Sequence, residues 1–483
     1  MSAPADLTDH ANPADLTGRP WFFCGIGGSG MLPLASILKG LGAEVAGSDR
    51  SFDQGRTPEK FAFLERQGFG LHPQDGSGIT SAEQILVASA AIESTVPEVV
   101  RASELGCRRM SRAELLSTLF NASGQGIAVG GTSGKSTVTA MLGWILTATG
   151  RDPTIVNGAV MKNFAGPQAP FASARIGHGG AFVAEVDESD GSITLYRPAV
   201  AVLLNVSLDH KSMEELRALF GGFLGRAGEA VVNFDDPEAR LLAGPGALSF
   251  ALGNPQARIG IEPGSIIQTP TGIAATLLDR TEATTHTLRI AMPGRHNLSN
   301  ALAAVAGALA AGVPVADAVA ALAGFKGLAR RFDILGTSPS AITVIDDFGH
   351  NPEKCRATLR TLKAHEGRVI AFFQPHGYGP LRQMGPELAQ TFAAELGSDD
   401  IAILCDPVYF GGTADRSAGS ERIVALIREA AHAASPTAEH IALREDCGRR
   451  ILALARPGDR IVVMGARDDT LTPFAQGLLD QLA

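Results

Sequence analysis

The sequence predicts an α/β protein of three domains: a Rossmann-like N-terminal domain, a central P-loop domain and a C-terminal, doubly wound Rossmann-like domain. Three observations lead there. At 483 residues the chain exceeds what one hydrophobic core usually organises, so two or three domains are expected. Apolar runs ending in glycine or polar residues alternate with helical periods, the pattern of parallel sheets covered by helices. Two glycine loops, Gly25 to Gly30 and Gly130 to Gly134, each stand between a strand-like and a helix-like run. The expected organisation is a flexible tail over 1–18 and domains over 19–122, 123–326 and 327–483.

Composition narrows the function classes. With 45% hydrophobic and 19% charged residues the chain reads as a soluble globular protein. A formal net charge of −9 argues against general binding to nucleic acid or anionic membranes, which needs a basic surface. The five cysteines, Cys24, Cys107, Cys355, Cys405 and Cys447, are scattered without a C-x-x-C pair. That excludes a disulfide framework or zinc site and points to the reduced cytoplasm. No apolar run is long enough to span a bilayer. The first 18 residues lack the basic and apolar regions of a signal peptide.

In the first domain, Trp21-Phe22-Phe23 opens a buried strand that runs into Gly25-Ile26-Gly27-Gly28-Ser29-Gly30 and a helix over Met31 to Leu41. A second strand, Glu44 to Ala46, leads to Gly47-Ser48-Asp49. This G-x-G-x-x-G with an acid roughly 20 positions on has two readings, an NAD-type site or a grip on another diphosphate. A strand at Ile85 to Val87 precedes a turn from Ser89 to Ile92. Ala113 to Phe120 reads as a helix and Asn121 to Gly126 as a linker.

The central domain opens on its phosphate loop. Ile127 to Val129 leads into Gly130-Gly131-Thr132-Ser133-Gly134-Lys135-Ser136-Thr137 and a helix. Glycines let backbone N–H groups approach phosphates, the helix N-terminus faces their charge, Lys135 reaches the β/γ oxygens and the Ser136 hydroxyl ligates Mg²⁺. The glycine spacing is shorter than the common Walker A form, but the layout predicts ATP binding. Strands at Phe182 to Ala184 and Ala199 to Leu204 follow, then an irregular β-rich portion over about 244–293. Two alanine-rich helices, 298–310 and 315–322, signal close helix packing. In the last domain, strands at 342–345, 369–373, 401–404 and 461–463 end in Asp346-Asp347, Gln374-Pro375-His376, Asp406 and Gly465. Ligands of doubly wound sheets lie at such carboxyl ends.

Within this frame Glu185-Val186-Asp187-Glu188-Ser189-Asp190 follows the strand where a second Mg²⁺ ligand is needed, with Glu185 the best candidate. The next strand delivers Asn205 to His210, and in this company His210 is a candidate metal or γ-phosphate contact. At the start of the first alanine-rich helix, His296 or Asn297 either caps the helix or, with Asn300, reads an adenine edge.

These motifs, in this order and with Arg330-Arg331-Phe332 and Asp346-Asp347-Phe348-Gly349-His350-Asn351-Pro352, resemble the Mur ligase family over about residues 20–470. The resemblance implies an N-terminal domain for a UDP-sugar, a central ATPase, and a C-terminal domain that closes over ATP and admits the amino acid. It implies ADP-forming amide synthesis: the carboxylate of UDP-N-acetylmuramate attacks the γ-phosphate, and the amine of an amino acid, alanine by resemblance, displaces phosphate from the acyl phosphate. ATP and two Mg²⁺ ions are the implied cofactors. Lys135, Glu185, His210, His350 and His376 take the catalytic positions, and Ser136, Glu185 and His210 those of metal ligands. Gly131, Thr132, Ser133, Gly134, Lys135, Ser136 and Thr137 hold the phosphates together with Arg330. His296, Asn297 and Asn300 face the adenine, and Asp346 or Asp347 the ribose. Gly25, Gly27, Gly28, Gly30, Asp49 and Ser89 fall at the UDP-sugar, not at NAD.

The chain departs from the family pattern at several points. Ser133 replaces a usual histidine and Ser136 a usual threonine. Phe348 and Asn351 stand where tyrosine and histidine are usual. The arginines that usually follow Q-P-H are absent, the sequence here being Gly377-Tyr378-Gly379-Pro380-Leu381-Arg382. Arg382, Tyr409 and Arg416 are therefore the candidates for the amino acid. A paralogue that loads another amino acid or a peptide, and an NAD-dependent oxidoreductase, are the alternatives.

Overall fold

The computed structural model describes residues 16–89, 92–208, 211–408, 419–430, 436–466 and 468–482. The chain divides into two compact units. One comprises 1–267, 274–291 and 297–327, the other 268–273, 292–296 and 328–483. The first two expected domains thus share one unit, each with its own sheet.

The N-terminal sheet holds β1 (Trp21–Cys24), β2 (Val45–Ser48), β3 (Gly70–His72), β4 (Ile85–Ala88) and β5 (Arg108–Ser111), in the order β3-β2-β1-β4-β5. All its pairings are parallel. Every residue of β1 and β4 is buried, as a sheet covered on both faces requires. The strand order reverses between β1 and β4, so the glycine loop after β1 lies at the topological switch point. β3 and β5 were not anticipated. Both are short and carry polar residues, so no apolar run marks them.

The middle sheet is built on β6 (Gln125–Gly130), β7 (Thr154–Val156), β8 (Ala174–Arg175), β9 (Ala181–Glu185), β10 (Val200–Leu203), β11 (Glu229–Asn233), β12 (Leu248–Phe250) and β13 (Ile259–Ile261). It continues through β14 (Ile267–Thr269), β15 (Gly272–Asp279) and β16 (Thr284–Ile290). Its path is β14-β15-β13-β12-β11-β10-β6-β9-β7-β8, with β16 paired to β15. β6 is central and lies parallel to β10 on one side and β9 on the other. The expected linker at 121–126 is largely regular structure: the preceding helix runs over Arg112–Ala122 and β6 begins at Gln125. A capping box between Ser111 and Glu114 starts that helix, a side-chain signal hidden in a stretch of ordinary polarity. The region expected to be irregular resolves into strands. In β15, Ile273, Ala275, Leu277 and Asp279 alternate inward with period two.

The helix Arg295–Ala310 shows why its sequence is rich in alanine. A Cβ on Gly307 would lie 3.0 Å from Leu142 Cδ1 and 3.2 Å from Val202 Cγ2. Only small residues let this helix approach both the helix Lys135–Ala148 and β10.

The last sheet comprises β17 (Asp333–Thr337), β18 (Thr343–Asp347), β19 (Val369–Gln374), β20 (Ile401–Leu404), β21 (Thr437–His440) and β22 (Arg460–Gly465), ordered β17-β18-β22-β19-β20-β21. It is parallel apart from the antiparallel edge strand β17. Among the described residues no helix is long and apolar enough to cross a membrane.

Phe120 ties the N-terminal sheet's last helix to the middle sheet. It is fully buried, with edge-on ring contacts to Phe182 at 5.7 Å and Tyr196 at 5.2 Å between centroids. A Cβ on Gly126 would lie 2.4 Å from its ring, so the space is closely filled. Phe120→Ala should destabilise the protein by about 3–5 kcal/mol. Calorimetric melting of the variant against wild type checks it.

Candidate active site

The phosphate loop leaves the end of β6 in a conformation reserved for glycine. Gly131 has φ +139° and Gly134 φ +90°, and a Cβ on Gly134 would lie 2.7 Å from Asn300 Oδ1. The loop is clamped by the segment that follows β10. Asn205 accepts from the Ser133 N–H at 2.8 Å and donates to the Ser133 carbonyl at 3.0 Å. Thr132 donates to the Ser207 carbonyl and accepts from its N–H. The helix Lys135–Ala148 then begins at Gly134 with no side-chain cap, and the N–H groups of a helix's first turn have no partner within the helix. Thr137 is buried on the inner face of that helix. Asn300 lies against Gly134 and donates to Asn297 at 3.4 Å, while Asn297 is buried.

Two acids from the end of β9 meet the loop. Ser136 Oγ donates to Glu185 Oε2 at 2.8 Å, and Lys135 Nζ donates to Glu188 Oε2 at 2.8 Å. Burial works against the Lys135 ammonium, but Glu188, with Asp187 and Glu185 beyond it, holds its pKa above the ordinary value. A Cβ on Gly158 would lie 2.3 Å from Glu185 Oε1, so glycine is needed to leave that carboxylate its place. Asn157 steadies the segment by donating to the Ser136 carbonyl. A hydroxyl and a carboxylate, both hard oxygen donors, fit Mg²⁺. His210 lies outside the described residues.

At the first glycine loop, Gly25 adopts φ +81° and the Gly28 N–H donates back to the Gly25 carbonyl, closing a tight turn. A Cβ on Gly27 would crowd Asp49 and Phe61, and one on Gly30 would lie 2.9 Å from Arg112 Cδ. Asp49 is engaged by the backbone: it accepts from the N–H groups of Gly27 and Ser51 and caps the helix Arg50–Asp53. Ser89 is exposed just past β4. The cations beside this loop are Lys60, which donates to the Gly27 carbonyl at 3.2 Å, and Arg112. Sequence reasoning missed both, because they stand far from the loop in the chain, Lys60 being 33 residues from the glycine it bonds, and only the fold brings them beside it.

In the C-terminal unit the strand-end acids turn inward. Asp346 is fully buried, accepts from Thr472, and has its pKa raised by burial against the pull of Arg330. Asp347 accepts from Phe332 N–H, Gly349 N–H and Thr358. Arg330 donates to the carbonyls of Gly465 and Asp468. These three side chains therefore brace the sheet's carboxyl edge from within. His296 is exposed in the first turn of its helix. His350 and His376 come together edge-on, 5.1 Å between ring centroids. Phe348 takes the guanidinium of Arg331 over its ring at 4.3 Å. Arg382 begins the second turn of the helix Tyr378–Glu395 and lines a small cavity with Arg422 and Gly419. Tyr409 and Arg416 lie outside the described residues.

Burial first, then the charges of Lys354, His376 and Arg331, push the His350 pKa down to about 3. Its Nδ1 is 2.8 Å from the Phe348 carbonyl, which only accepts, so Nδ1 carries the proton and Nε2 presents a lone pair. The unfolded chain takes up a proton near pH 6.5 and the folded chain does not. His350 thus adds stability above that pH, and the contribution is lost as pH falls from about 6.5 toward 3. His350→Gln should lose melting temperature less steeply than wild type across that window, as followed by calorimetry at stepped pH.

Comparison with known proteins identifies the family. The chain matches the model of the Mur ligase family catalytic domain over 22–123, the Mur ligase middle domain over 129–308 and the Mur ligase glutamate ligase domain over 330–467. It is 35% identical to the UDP-N-acetylmuramate–L-alanine ligase of Pelotomaculum thermopropionicum, covering 92% of this chain and 94% of that one. The enzyme of the same name from Agrobacterium fabrum is 34% identical, with 95% and 96% covered. Among solved structures, UDP-N-acetylmuramate–alanine ligase from Thermotoga maritima shares the fold with a TM-score of 0.78 at 23% identity, covering 96% and 99%. A murein peptide ligase from Psychrobacter arcticus aligns with a TM-score of 0.69 at 25% identity, covering 96% and 99%. With three domain models in sequence and full-length relatives, the chain belongs to the Mur ligase family of ATP-dependent ligases.

Proposed function

We propose that this ligase joins an amino acid, L-alanine in the first instance, to the carboxylate of UDP-N-acetylmuramate, forming ADP and phosphate in cytoplasmic peptidoglycan precursor synthesis. The observation that carries the reading is the pairing of Lys135 and Ser136 with Glu188 and Glu185 on a clamped phosphate loop, in a chain whose full-length relatives bear that activity in their names. Lys135 supplies positive charge where the γ-phosphoryl group transfers, a step governed by positioning and electrostatics. Ser136 and Glu185 would hold Mg²⁺, which neutralises phosphate charge when bound. The N-terminal glycine loop, with Lys60 and Arg112 beside it, suits the diphosphate of a UDP-sugar. His350 offers a neutral imidazole with a free Nε2 to an incoming amine.

A second reading, a paralogue that adds another amino acid or a peptide, is favoured by one feature. The helix Tyr378–Glu395 begins where the family's arginines are usual, and residues 377–380 carry no cation. An amino-acid carboxylate needs a cationic partner. Arg382, beside Arg422, is the proposed replacement, with Tyr409 and Arg416 as further candidates.

Phosphate release from ATP, measured across UDP-muramoyl substrates crossed with amino acids and short peptides, identifies the acceptor and donor. Lys135→Ala should lose about 10²-fold or more in kcat while melting cooperatively. Near-normal turnover by that folded variant would remove the phosphate-loop assignment. Arg382→Ala should raise the KM for the amino acid about ten-fold with the KM for ATP nearly unchanged. Equal use of alanine by this variant and wild type would exclude a relocated anchor.

A further inference from the structure

The cationic and metal-binding groups of the phosphate loop are already occupied by acids of the same chain. Lys135 and Glu188 form an ion pair of 2.8 Å whose side chains are only 18% and 5% exposed. Ser136 is likewise bonded to Glu185. The other two acids of the run make their hydrogen bonds to neighbouring backbone. Asp187 accepts from the Ser189 N–H, while Asp190 accepts from the Ser192 N–H and faces Arg112 at 3.9 Å. Asp187 and Glu185 also lie in the field of Lys135, but among the described residues Glu188 is the acid of the run to which Lys135 donates directly.

A triphosphate that engages Lys135 must take its ammonium from Glu188. That would leave a nearly buried carboxylate without its cation and close to incoming negative charge, an arrangement strongly disfavoured in low dielectric. A divalent cation arriving with the nucleotide relieves both problems, since oxygen donors such as carboxylates are what Mg²⁺ takes. We propose that Glu188 is a positioning residue that couples nucleotide binding to Mg²⁺ binding: it holds Lys135 in the nucleotide-free enzyme and, on releasing it, turns its carboxylate to the accompanying cation. The proposal rests on the phosphate-loop reading above and adds to it a thermodynamic linkage between two ligands.

The test is calorimetric titration of the full chain with the β,γ-imido analogue of ATP, once in EDTA and once in Mg²⁺. Wild type should bind the metal-free analogue weakly and gain strongly from Mg²⁺. Glu188→Gln, which keeps shape and removes charge, should bind the metal-free analogue about ten-fold tighter and gain about ten-fold less from Mg²⁺. Glu188→Asp keeps the charge but shortens the reach, so it should fall between the two. It decides the question should Glu188→Gln fail to fold. Weaker metal-free binding by either variant, or an unchanged gain from Mg²⁺, overturns the proposal. Lys135→Ala separates the premises: if it binds the analogue as wild type does, the phosphate-loop reading itself fails and the linkage with it.

Discussion

The grip of Asn205 on the backbone of Ser133 is the contact on which the rest of the nucleotide site depends. One side chain satisfies both the N–H and the carbonyl of a loop residue, and so fixes the loop in the form its glycines permit. Asn205 is placed by the parallel register of β10 and β6, in which Leu203 lies opposite Gly130. That register is set by buried Val129, Ala201 and Val202, residues with no chemistry of their own. The ordering a phosphate would otherwise impose is thus completed when the core folds, and binding energy remains for the reacting groups.

The same economy shapes the charges. An acidic chain must meet anionic substrates with a few local cations, and the structure separates those with structural duties from those facing a loop. Arg330 is spent on two backbone carbonyls. Lys60 reaches the first glycine loop and Lys135 the second. Glu188 keeps Lys135 charged in spite of its burial, which a lone lysine at that depth would resist.

Both loops and the apolar strands were legible in the sequence because their physics is local. Phosphate loops need glycine where φ is positive, and buried parallel strands need unbroken apolar runs. What escaped depends on partners distant in sequence: Asn205 on Ser133, Glu188 on Lys135, Gly158 beneath Glu185. Only strand register brings these together, and no spacing rule encodes it. Asp346 and Asp347 show the converse. The resemblance puts one of them at a ribose; in the structure both belong to β18, which runs on to Asp347, and on the two faces of that covered strand they accept from Thr472 and from Phe332, Gly349 and Thr358. Asp49 likewise stands at the expected acidic position, yet its oxygens cap a helix and hold Gly27.

The same distinction between backbone and side chain orders the departures from the family pattern. Ser133 replaces a usual histidine, but the loop is held at that position through its backbone N–H and carbonyl, which any residue supplies. Ser136 replaces threonine and keeps the hydroxyl that meets Glu185. Phe348 replaces tyrosine and keeps the ring over which Arg331 lies. In each case the retained feature is the one the geometry uses. Residues 377–380 differ in kind, because a guanidinium has no backbone equivalent and its loss removes a charge from the site. The phosphate loop therefore keeps the groups its geometry uses, while the relocated carboxylate anchor proposed above would have to be a cation outside residues 377–380.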